Sequence, residues 1–132
     1  MKIPAILLPA ALPEMPRPVD LVSVETLKSL REFIGCDLLE RVRLDSQLEE
    51  IETNGVLWID EEGRCKNSPQ INIRASILAG TEIYGNALLC GDSGVDIVGL
   101  NLPNTAKFML CLELETMRLF HEIQTGRTSI GN

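Results

Sequence analysis

The sequence predicts an α+β fold: a small, mostly antiparallel sheet packed with two short helices and one long C-terminal helix. Three observations predict it. Short runs that are apolar or alternate with period two, at residues 3–8, 36–44, 55–60 and 87–90, are bounded by Gly, Pro, Asn and Asp. Two stretches opening on Ser23 and Asn72 carry helical spacing and stop at Gly35 and Gly80. A third, from Pro103 to about Thr125, is long enough for six turns and stops at Gly126.

In chain order, residues 3–8 form a leading strand, with Pro4 tolerated at its start. Pro9, Pro13, Pro16 and Pro18 stiffen an extended connector, and residues 19–22 return as a short second strand. Ser23 caps a helix whose buried face is Val24, Leu27, Leu30 and Ile34. In the strand over 36–44, Leu38, Val42 and Leu44 share one face with Glu40, while Arg41 and Arg43 point away. A carboxylate in an apolar row is unfavourable unless paired, at a sheet edge, or in contact with a ligand. Residues 45–54 read as an acidic loop with a helical turn near Leu48 and Ile51.

Residues 55–60, GVLWID, form a clear strand, with Trp58 as a core anchor or, as the alternative, a stacking platform. Glu61, Glu62 and Gly63 turn it into a hairpin with residues 64–66, Gly63 supplying positive φ. Asn72 caps a short helix over 73–79. Tyr84, Gly85 and Asn86 turn into the strand 87–90, and residues 95–100 pair back on it after a second turn.

The last helix carries an unusually wide apolar arc. Ala106, Met109, Leu110, Leu114, Met117 and Phe120 fall on one face; Phe108, Leu112, Leu119 and Ile123 fall on a second. One sheet does not cover so much, so the helix over 103–125 is sunk between layers or shared in a homodimer. A single domain over 1–126 is expected, with a flexible tail at 127–132.

With 132 residues and a net charge of −7, the chain lacks the basic footprint of a nucleic-acid or anionic-membrane binder. No apolar run reaches the ~20 residues of a membrane span, and the prolines at 4, 9 and 13 break any signal-peptide helix. A cytoplasmic protein with reduced thiols is expected. Cys36, Cys65, Cys90 and Cys111 form no CxxC pair and His121 is the sole histidine, which argues against metal and against His-dependent nucleophilic catalysis. No cofactor is expected, and the reading is non-enzymatic.

A binding site is easier to build. The Asn72 helix start, Arg74, Ser76, Tyr84 and Asn86 combine donors, a charged fork and a stacking ring, with Glu40 as a further candidate ligand contact. The structural alternative is that Asn72 merely caps, Asn86 occupies a turn and Tyr84 packs.

The order of these motifs is itself informative: the Glu40 strand, the WIDEEG turn, the N-x-x-A-S/T segment of Asn72, Ala75 and Ser76, and the aromatic-Gly-Asn turn at Tyr84, Gly85 and Asn86. Over residues 1–100 it resembles a small family of unknown function scattered through bacteriophages, mobile elements and bacterial genomes. The resemblance implies a phage-type accessory protein acting on host physiology or defence in the host cytoplasm. Two functions follow as expectations: sequestration of a small, nucleotide-like ligand at Asn72, Arg74, Ser76, Tyr84, Asn86 and Glu40, or binding of a host protein as an inhibitor or adaptor through an acidic surface and the C-terminal helix.

Overall fold

The computed structural model describes residues 2–45, 55–94, 96–100 and 105–126. Along them run β1 (Lys2–Leu8), β2 (Arg17–Val22), α1 (Thr26–Ile34), β3 (Leu39–Arg43), β4 (Gly55–Asp60), α2 (Ile73–Ala79), β5 (Ala87–Asp92), β6 (Ile97–Val98) and α3 (Thr105–Gln124). The strands form one antiparallel sheet in the order β2-β1-β5-β4-β3, with β6 added to the end of β5. This is the α+β architecture that the sequence predicts.

Helices cover both faces of the sheet, which explains why the inner strands lose their alternation. Even-numbered Ile6 and Leu8 of β1 join Leu57, Ile59, Ala87 and Leu89 beneath α2 and α3, with Leu78, Phe108 and Leu112 descending from the helices. Odd-numbered Ile3 and Ala5 face the other way, with Leu21, Leu88 and Cys90, under Leu30 and Ile34 of α1. Because successive strand residues point to opposite faces, a strand covered on both sides must be apolar throughout. β5 is the clearest case: Ala87, Leu88, Leu89 and Cys90 are all fully buried.

Several local expectations are corrected. Ser23 lies in a 3-10 turn (Ser23–Glu25) and does not cap α1 with its side chain; instead Thr26 Oγ1 donates to the Ser23 carbonyl at 3.0 Å. The turn rotates the start of the helix, so Val24 and Leu27 are exposed and the buried face is Ser29, Leu30 and Ile34. Leu38 is also exposed, and β3 begins only at Leu39.

Gly63 does not head a hairpin. Residues Gly63–Cys65 form another 3-10 turn, and β4 pairs with β3 and β5. Gly63 is not among the positive-φ glycines; a Cβ there would fall 2.5 Å from the Tyr84 carbonyl oxygen. Close approach is therefore its reason. β6 is shorter than the 95–100 strand expected. The turn near Leu48 and Ile51, the residues at 101–104 and the tail at 127–132 lie outside the described residues.

Candidate functional site

The polar cluster at the start of α2 is an internal network. Asn72 is fully buried and is the expected N-cap: its Oδ1 accepts from the Ala75 N–H at 3.0 Å. Its Nδ2 donates to the carbonyls of Leu8 and Gly85, both at 2.9 Å, which ties the end of β1 and the Tyr84–Asn86 turn to the helix start. Ser76 Oγ donates to the Asn72 carbonyl at 2.6 Å and accepts from the Ile83 N–H at 2.9 Å. Asn86 Oδ1 accepts from the Ala10 N–H at 2.9 Å.

Arg74 is only 3% exposed. Its Nε donates to Glu113 Oε1 at 2.6 Å and its Nη2 to Glu113 Oε2 at 3.1 Å, a two-pronged pair with α3. Nη1 donates to the Glu14 carbonyl at 2.8 Å and Nη2 to the Leu12 carbonyl at 3.2 Å. The guanidinium thus binds the proline-rich connector and α3 to α2. Its donors face oxygens of the same chain.

Tyr84 makes contacts of its own beside this network. Its hydroxyl donates to Glu82 Oε2 at 2.8 Å, and the Arg64 guanidinium lies over the ring at 5.2 Å from the centroid. Arg64 also reaches Glu82, at 3.5 Å. The bond to Glu82 is the main reason that the phenol is raised above the ordinary tyrosine range, with desolvation second. Glu40 is exposed on the edge strand β3. It shares a transverse row with Ile59, Ala87 and Leu8, three strand spacings, roughly 14 Å, from the β1 end that Asn72 holds.

Of the six expected ligand contacts, the fold therefore gathers Asn72, Arg74, Ser76 and Asn86, sets Tyr84 beside them with Arg64 and Glu82, and leaves Glu40 apart. The four gathered residues are engaged by the chain itself rather than turned toward a guest. Burying this many polar groups is tolerable only because each is hydrogen-bonded, and the same bonding leaves Arg74 without a fork to offer. A shallow groove of about 610 Å³ lies elsewhere, between β1 and β6, lined by Lys2, Pro4, Thr26, Leu27, Asp96 and Ile97, and none of the six lines it.

Two other features matter chemically. Trp58, half-buried against the α1 side, has an Nε1–H that is buried without a hydrogen-bond partner. Its neighbour Cys90 has its thiol pushed up to about 12 by burial. Among the described residues no three His, Cys, Asp or Glu side chains converge as a metal site would need, and no helix is long and apolar enough to cross a membrane.

The larger anomaly is on α3. Phe108, Leu112 and Thr116 are buried toward the sheet, yet Leu110, Leu114 and Met117 are 60%, 57% and 68% exposed on the opposite side, with Phe120 at 37% on its shoulder. The sequence shows this arc. It does not show Glu113 as the partner of Arg74, although a carboxylate set between Leu112 and Leu114 is the available signal.

A family model described as a domain of unknown function, DUF3846, matches residues 8–109, most of the chain. The chain belongs to the DUF3846 family. The match runs from Leu8, the last residue of β1, through the first turn of α3, so Asn72, Arg74, Ser76 and Asn86 lie within the DUF3846 region while Arg74's partner Glu113 and the row Leu110, Leu114, Met117 and Phe120 lie beyond it. No curated protein and no solved structure matches the chain.

Proposed function

We propose that this DUF3846 protein is a non-enzymatic protein-binding module whose working surface is the outward face of α3. The observation that carries the reading is the row Leu110, Leu114 and Met117, more than half exposed on a helix whose other side is already packed on the sheet. Single exposed apolar residues are ordinary, but a contiguous row on one helix face marks an interaction surface. Spacing of this kind is how an amphipathic helix presents anchors to a partner.

Ligand sequestration at the Asn72 cluster is less well supported, because a guest would have to displace Glu113 and two backbone carbonyls from Arg74. Lone His121 is exposed on α3, away from that cluster, which favours the non-enzymatic reading. The phage-type setting that the family resemblance implies makes host proteins the pool in which a heterologous partner is sought.

Affinity capture with the wild-type chain and with the Leu114→Asp/Met117→Asp variant tests the proposal. Both substituted positions are exposed, so the far-UV circular dichroism of the variant is expected to match wild type. A protein retained stoichiometrically by wild type and lost by the variant, whether another protein or an untagged second copy of the chain, is the expected result. Identical retention by both would remove α3 as the working surface.

A further inference from the structure

The outward face of α3 is electrically neutral although the chain is not. Along the helix Lys107 and Arg118 stand against Glu113, Glu115 and Glu122, and the buried Arg74 closes the balance through its pair with Glu113. Arg118 is held by Glu115 at 2.9 Å and by Glu122 at 2.6 Å. Charges already paired within the chain project little field, so this face does not select a strongly basic partner, which would be steered by complementary potential. A two-fold contact between copies has the opposite requirement: the same patch meets itself and must be self-complementary. A balanced patch satisfies that and a −7 patch would not.

The spacing points the same way. Leu110, Leu114, Met117 and His121 follow one another at intervals of four, three and four residues, the seam along which two helices pack knobs into holes. Phe120 widens the seam on one shoulder. The exposed apolar surface is on the order of 400 Å² per copy. A pair would therefore bury about 800 Å² from these side chains, below the roughly 1,200 Å² at which stable specific interfaces begin and within the range of weak, transient contacts. That area fits a reversible, concentration-dependent pair rather than an obligate one.

We infer that the occupant of this face is a second copy of the chain, the two α3 helices crossing about a two-fold axis near Leu114. This inference rests on the reading of the face as protein-binding.

Sedimentation velocity of the full chain, from about 5 μM to about 500 μM, brackets the affinity such an area supports. The weight-average mass is expected to rise toward twice the monomer. Leu114→Asp/Met117→Asp is expected to stay monomeric with unchanged circular dichroism. Added salt should strengthen pairing, because screening acts on the net charge of −7 on each copy rather than on the paired charges of the seam. A dimer unaffected by the double substitution, or one weakened by salt, overturns the inference. A wild-type monomer at every concentration that still captures another protein through Leu114 and Met117 overturns self-pairing alone. A monomer that captures nothing overturns the protein-binding reading with it.

Discussion

The two sides of α3 treat their irregular residues in opposite ways. Toward the body, Glu113 meets Arg74, and a group that looked like a ligand hook is engaged by the chain's own oxygens. Toward the outside, Leu110, Leu114 and Met117 are apolar groups with no such cover. Polar residues in a sequence suggest sites and apolar ones suggest a core; here the polar cluster is the internal part and the apolar row is the available one. Burial and partner count, not residue type, separate the two.

The comparison breaks first at Arg74. Arg74→Ala leaves Glu113 unpaired and the Leu12 and Glu14 carbonyls without donors, so a stability loss of roughly 3–5 kcal/mol is expected in urea denaturation. Loss below about 1 kcal/mol would mean that the guanidinium is free for another role. On the same helix, Leu112→Ala is expected to cost about 2–5 kcal/mol and Leu114→Ala no more than about 0.5 kcal/mol. Equal costs would show that both sides of α3 are packed.

Cys90 offers a pH test of the layer under α1. Its thiol is raised from 9.0 to about 12 in the folded chain, so the folded state holds a proton that the unfolded state releases. The stabilisation is complete below pH 9 and is lost as pH rises toward 12, by about 1 kcal/mol between pH 9 and 10. Urea midpoints measured at those two pH values should show that decline, and Cys90→Ala should remove Cys90's share of it. A small effect, a urea midpoint close to wild type, is expected at Tyr84→Phe, which removes one partly exposed hydroxyl and its bond to Glu82. A tighter link between Tyr84 and the Arg74 network would enlarge it.

What was legible in the sequence was local. Asn72 caps, and Gly35, Gly80 and Gly126 end helices at positive φ, because caps and stops are decided within one turn of chain. β4 and β5 were readable from their apolar runs. What was not legible depended on distant partners. Arg74 finds its oxygens on Leu12, Glu14 and Glu113, and nothing near Arg74 in the chain announces them. Gly63 carries no positive φ to give it away; its reason is the Tyr84 carbonyl that folding brings against it. At α1, one 3-10 turn was enough to rotate Val24 and Leu27 into solvent.

The place of β5 has a consequence for how the molecule comes together. β1 with β2, and β3 with β4, are each two-stranded ribbons that can zip from nearby sequence, but neither has its inner neighbour until residues 87–92 arrive between them. Two-stranded ribbons are marginal alone in water, and closing such distant pairings is slow. The sheet is therefore incomplete without this late segment, which is the keystone joining its two halves.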